Sequence, residues 1–478
     1  MSGKHKHIDR RTFLHQASCA AVGYTTLFST LANLEILQAA AGFNLNDAAS
    51  NDYKALVCLL NSGGMDSFNM LIPTDQGLYR QYQETRTNLA IPKGELISIN
   101  PENTGGQTFG LHPALKKVSS LFNDGNLAFI SNVGTLVQPM TRQEFYQGGV
   151  PLPLGLYSHA DQMLHWQTGI PQGRVAQGWG GKIADMLNDY NQQKQIPMCL
   201  SVSGSNLFQA GNKTSEFALR PISGAVGIDG FYEEWSVNKM RREAITGMMN
   251  QTYQDIYKKT YNTTIKNAFT GFELIQPVLE NQPAWNVSFE NAGSDWNPSL
   301  NMYFEMVARA ISGREKLGMN RQIFFIEYGG WDHHDELLNS QNNKLEELDL
   351  ALSQFYTVLQ QMGIEDSVTT FSLSEFGRTL TSNGNGTDHA WGGNTFVMGG
   401  AVKGKQIFGT YPQLSLGQGN PLELGGGVLL PTTSADEYFA EIALWFGVPP
   451  SELNLLFPNI HNFYSPGSGS NPIGFLQN

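Results

Sequence analysis

Two stretches of this chain repeat one pattern: an apolar run, a glycine pair, then an acid. Ala55-Leu56-Val57-Cys58-Leu59-Leu60 leads through Ser62-Gly63-Gly64 to Asp66, and Phe324-Phe325-Ile326 leads through Gly329-Gly330 to Asp332-His333-His334. Short, continuous apolar runs bounded by glycines read as strands buried on both faces, as in parallel sheets. The carboxyl ends of such strands share one edge, and ligands bind there. The pattern therefore points to an α/β fold with Asp66, Asp332, His333 and His334 gathered at that edge.

The segments between fit the same reading. Lys344 to Met362 places Leu345, Leu348, Leu352, Phe355, Leu359 and Met362 three or four residues apart, with Gly363 as a C-cap. This predicts an amphipathic helix. Ser367–Leu373 reads as the next strand and ends in Ser374-Glu375-Phe376-Gly377-Arg378, with Thr387-Asp388-His389 after a loop rich in Asn and Gly. Further strands are expected at 127–130, 196–202 and from Phe396, and helices at 111–121, from near Ser158, and at 183–187. Alternating strands and helices imply a mainly parallel sheet with helices on both faces. Residues 205–300 lack the strand–glycine–acid pattern and read as a mostly helical insertion, either a cover over the site or packing decoration.

Ser158 precedes a helical pattern, where a hydroxyl serves as an N-cap or as a nucleophile near backbone N–H donors. Mixed Asp, Glu and His donors suit Zn, Mn or Fe better than Ca or Mg. Enough donors are present for one or two ions, which can clamp the attacking and leaving oxygens of a displacement at phosphorus or sulfur.

The first 41 residues have the three parts of an export signal. Arg10-Arg11 is followed by Phe13-Leu14, then by Gln16 to Leu34 without a charge, then by Ala39-Ala40-Ala41. The twin arginine resembles the Tat type, so cleavage near Gly42 and a periplasmic or secreted location are expected. Removing residues 1–41 takes away four basic and two acidic residues, so the formal charge goes from −12 to −14. An acidic chain without a basic run argues against a nucleic-acid partner, and no later run is long and apolar enough for a stable membrane span. Cys58 and Cys199 each sit in an apolar run, where buried thiols are expected.

SGGMDSFNMLIP (62–73), LYSHADQMLHWQTG (156–169), GWDHHD (330–335), SEFGRT (374–379) and GTDHAWGG (386–393) together resemble the domain-of-unknown-function 1501 family. That family is grouped with the alkaline phosphatase and sulfatase superfamily. The resemblance implies an alkaline phosphatase-like α/β/α sandwich, with 42–478 as a single domain. It makes Asp66 a metal-binding Asp, Ser158 the catalytic nucleophile, Asp332 and His334 a ligand pair, and His333 a further ligand or a neighbour. Where wider relatives place an Asp-His pair after a strand, this chain has Glu375-Phe376, so one histidine is missing there. Asp388-His389 stands as its replacement or as the final ligand pair. Arg378 is assigned to an anionic substrate. The expected function is an exported metal-dependent hydrolase of phosphate or sulfate esters. The alternative is a non-catalytic exported metal-binding or surface-assembly protein of the same fold. The expected partners are a small anionic ester or an extracellular ligand, and the Tat machinery.

Overall fold

The computed structural model describes residues 52–228, 230–281, 283–289 and 293–477. The expected export signal lies outside them. Among the described residues no helix is long and apolar enough to cross a membrane.

A ten-stranded sheet organises the chain. In chain order its strands are β1 (Lys54–Leu60), β5 (Leu127–Gly134), β6 (Cys199–Ser201), β7 (Phe217–Arg220), β8 (Gly224–Ala225), β9 (Arg321–Glu327), β10 (Val368–Leu373), β11 (Gly393–Met398), β12 (Ile407–Phe408) and β13 (Thr433–Ser434). Across the sheet they run β12-β5-β11-β10-β1-β9-β6-β7-β8, with β13 also on β5. The short strands β2 (Leu71–Pro73), β3 (Ile97–Ile99) and β4 (Phe109–Leu111) form a separate antiparallel sheet. In the large sheet only β8 and β11 run against the rest.

Alternation along β1 builds the two cores. Ala55, Val57 and Leu59 join one apolar cluster with Phe324 and Ile326, while Leu56, Cys58 and Leu60 join a second with Phe325 and Phe371. Helices cover both. The helices that matter here are α1 (Gln76–Arg86), α2 (Lys116–Asn123), α3 (His159–Thr168), α4 (Trp179–Met186), α5 (Ser236–Met249), α6 (Ile256–Glu280), α7 (Leu300–Ser312), α8 (Leu337–Met362) and α9 (Ala435–Phe446). α2, α7 and α8 lie on the first face, and α4 and α9 on the second. The chain is thus a mixed α/β sandwich around a mainly parallel sheet. Each fully buried aliphatic or aromatic side chain contributes about 1.5–3 kcal/mol, so the sheet is anchored from both sides.

Register then positions the site. Leu60 stands opposite both Glu327 and Leu373, so β1, β9 and β10 end level and their loops emerge side by side. The antiparallel β11 begins at that same edge, which delivers the residues just before Gly393 to it.

Several boundaries differ from the sequence reading. Phe109–Leu111 is a strand, and its helix starts only at Lys116 after the His112-Pro113 turn. The strand expected at 196–202 shrinks to Cys199–Ser201, because Pro197 has no N–H for a ladder. α4 begins at Trp179, and α8 at Leu337, where Leu337 and Gln341 are already buried. The 205–300 segment is not only helical: β7 and β8 extend the sheet edge, and α6 packs against β8 and α7. Cys58 and Cys199 are free and buried, and burial pushes both thiols up.

Candidate metal centre

Three loop segments and one helix start converge at the carboxyl edge. Asp332 follows β9, Glu375 follows β10, His389 precedes β11, and His159 opens α3. One ligand atom each from His159, Asp332 and His389 lie within 4.8 Å of one another. His334 joins them, its Nε2 lying 3.0 Å from Asp332 Oδ1 and 3.0 Å from His389 Nε2.

Each imidazole is held by its other nitrogen. His159 Nδ1 donates to Glu375 Oε1 at 2.7 Å, His389 Nδ1 to the Tyr157 carbonyl at 2.9 Å, and His334 Nδ1 stands 3.2 Å from Asp388 Oδ1. The Glu375 carboxylate and the Tyr157 carbonyl accept, which puts a proton on Nδ1 of His159 and of His389 and, in the neutral form of each ring, a lone pair on the Nε2 that faces inward. His334 instead has a carboxylate oxygen at either nitrogen, Asp388 Oδ1 at Nδ1 and Asp332 Oδ1 at Nε2. His159 Nε2 is buried without a hydrogen-bond partner, with Asp332 Oδ2 3.5 Å away. The Nε2 atoms of His334 and His389 stand 3.0 Å apart, close enough to share one hydrogen bond or to ligate one cation. Ligands at the ~2.0–2.1 Å of a zinc–nitrogen bond, arranged tetrahedrally, stand roughly 3.3 Å apart. His159, Asp332 and His389 are spaced to share one divalent transition ion, with His334 against the latter two.

The surroundings set the charges. The hydrogen bond that His159 donates to Glu375 raises it above the ordinary histidine value; burial opposes this, and the charges of Glu375 and Asp332 add to it. Burial lowers His389 and keeps it neutral. Burial alone would raise the Asp332 carboxyl, but the Arg378 hydrogen bond and charge, with His334 and His159, hold it below the usual range. The Phe376 ring sits 4.8 Å from His159 and 4.6 Å from His389, backing both imidazoles. Tyr157 takes a φ of 71°, a strained value for an aromatic residue, and its carbonyl meets His389.

Gly63 ties these loops together. Its N–H donates to Glu375 Oε1 at 2.7 Å and its carbonyl accepts from Arg378 at 3.1 Å. At φ 122°, an added Cβ would fall 2.4 Å from the Asp332 nitrogen. The loop after β1 thus contributes backbone to the cluster rather than its acid.

The residues singled out by sequence separate accordingly. Asp332, His334, Asp388 and His389 meet in the cluster, with Glu375 behind His159. Asp66 does not: it is fully buried and paired with Arg86 of α1. His333 is buried with both ring nitrogens unpartnered, and burial lowers it to about 4. Arg378 is not a surface anion receptor, because its buried guanidinium clamps Asp332 Oδ1 at 2.7 Å and bonds Thr387. Ser158 is the N-cap of α3, accepting from the Asp161 N–H at 3.5 Å. His159 was the residue the sequence reading passed over. Its signal was its place, next to Ser158 at a helix start.

A family model described as "Protein of unknown function (DUF1501)" matches residues 237–425. No curated protein matches the chain. Among solved structures, the chain is similar to the PsFucS1 sulfatase from Pseudoalteromonas sp. at 10% identity, covering 88% of this chain and 74% of that one with a TM-score of 0.38. It is also similar to the C-terminal periplasmic domain of EcEptC from Escherichia coli in complex with Zn, at 10% identity over 73% of each chain and a TM-score of 0.28. A TAB5 alkaline phosphatase mutant with Mg bound matches at 11% identity over 73% of this chain and 92% of that one, with a TM-score of 0.26.

Proposed function

We propose that this chain is an exported hydrolase of phosphate or sulfate esters that depends on one divalent transition metal held by His159, His334, His389 and Asp332. The observation that carries the reading is the convergence of three Nε2 atoms beside Asp332, each on a ring whose Nδ1 has a partner of its own. When bound, such an ion polarises a phosphoryl or sulfuryl oxygen as a Lewis acid. The protein's own residues supply the rest. Glu375, Asp388 and the Tyr157 carbonyl hold the imidazoles in place. Arg378 keeps Asp332 ionised and oriented. Ser158 lies at the positive end of the α3 dipole, next to His159, where an anionic ester is favoured and a hydroxyl can attack. The leader at 1–41 supports export to the periplasm or beyond.

A second reading, a non-catalytic metal-binding or surface-assembly protein, is favoured by one contact: the Ser158 hydroxyl is turned to the Asp161 N–H as a helix cap. Turnover of an aryl phosphate or aryl sulfate separates the two. The hydrolase reading expects activity that vanishes in Asp332→Ala and falls sharply in Ser158→Ala. Equal rates in the wild type and both variants would sink it.

A further inference from the structure

The α5–α6 hairpin lies in the 205–300 segment and carries an apolar surface that the described chain leaves open. α5 has no buried residue. Its inward stripe, Asn238, Arg242, Ile245 and Met249, is only half-buried. A second stripe, Val237, Met240, Ala244 and Met248, recurs at three- and four-residue spacing and faces solvent, with Val237 67% and Met240 69% exposed. On α6, Tyr257 and Tyr261 are one turn apart and 82% and 70% exposed. Ile256 beside them and Trp235 just ahead of α5 are likewise exposed. Single exposed apolar residues are ordinary, but a run of this density marks an interaction surface. An open groove of about 420 Å³ lies along it, lined by Ile245, Met248, Tyr261 and Ile265.

The charge around this surface is opposite to that of the chain. Residues 236–266 hold six basic and two acidic residues, a net charge of +4, against −12 for the whole chain. Lys239, Arg241, Lys258, Lys259 and Lys266 are exposed. Asp255 caps α6 by accepting from the Lys258 N–H at 2.9 Å, and Glu233 and Glu234 turn to Asn238 and Arg242 at 2.7 and 2.9 Å. Apolar stripes bordered by Lys and Arg suit a helix lying in a bilayer interface. Trp and Tyr settle at headgroup depth, and lysine stems reach up to anionic headgroups.

We propose that the α5–α6 hairpin docks this protein on the surface of an anionic lipid bilayer, lying in the interface plane without crossing it. The surface is formed by residues outside the metal cluster, so it stands independently of the hydrolase reading. The test is co-sedimentation of the exported, naturally processed protein with vesicles of phosphatidylglycerol and phosphatidylcholine, and of phosphatidylcholine alone. The wild type is expected to bind only the anionic vesicles, less tightly as salt rises. Tyr257→Ser/Tyr261→Ser and Lys258→Glu/Lys259→Glu should each weaken binding by about tenfold or more, with circular dichroism and metal content unchanged. Three outcomes overturn the proposal: no binding, equal binding by wild type and variants, or self-association lost in these variants without lipid, which would make a second copy the occupant.

Discussion

Ser62-Gly63-Gly64-Met65-Asp66 and Tyr328-Gly329-Gly330-Trp331-Asp332 follow neighbouring parallel strands with one pattern, yet their acids have opposite fates. Asp66 is fully buried, paired with Arg86, and donates nothing to the cluster. Asp332 is 45% exposed at the side chain and stands among three imidazoles and Arg378. Local sequence delivered both to the same edge. What separated them came from elsewhere: a helix twenty residues on brought Arg86 to the first, and α3 and the loop before β11 brought His159 and His389 to the second. Arg86 thereby withdraws Asp66 from any ion, whereas Arg378 holds Asp332 by Oδ1 and leaves Oδ2 facing His159. One ion, rather than two, suits the donors that remain.

The largest expected effect tests this contrast through stability. Arg86→Met strands the buried Asp66 carboxylate and should cost about 3–5 kcal/mol in denaturant unfolding. Asp332→Asn should cost no more than about 2 kcal/mol, because Arg378 keeps the Gly63 and Thr387 carbonyls. Equal losses would erase the distinction between a structural and a ligand acid. Next in size is Glu375→Gln, which removes the charge behind His159 and should weaken metal affinity by about tenfold, as outer-shell partners do. Isothermal titration of the metal-free protein measures it, and Asp66→Asn, if folded, should leave the affinity unchanged. The smallest effect is on proton binding. Because Glu375 raises His159, the metal-free pair stabilises the fold fully below the unfolded histidine value, near 6.5, and loses that contribution as pH rises through the raised folded value. Glu375→Gln should lower the His159 midpoint in an NMR titration. A midpoint that stays put would mean that the Glu375 contact does not set its proton.

The strands and the edge they share were legible because burial on both faces leaves unbroken apolar runs, and glycines mark where they stop. The place of Asp332 and His334 at that edge was legible for the same reason. His159 was not, since nothing in a helix-start Ser-His distinguishes a cap and its neighbour from a ligand until Glu375 is brought 216 residues back to meet it. Asp66 is held away from the cluster by Arg86, the last residue of α1, and no local signal marks that arginine as buried. The reversed direction of β11 was also hidden, and it is what carries His389 to the edge. Its run, Thr395 to Met398, is as apolar as a parallel strand's, and no local signal sets its sense.

The most direct test is metal content per chain, by mass spectrometry of the purified full-length protein. The account predicts close to one transition-metal ion per chain, lost in Asp332→Ala and His389→Ala and kept when Asp66 is replaced by Asn in a variant that still folds. Absence of metal after incubation with Zn, Mn and Fe, or two ions of which one departs with Asp66, would contradict it.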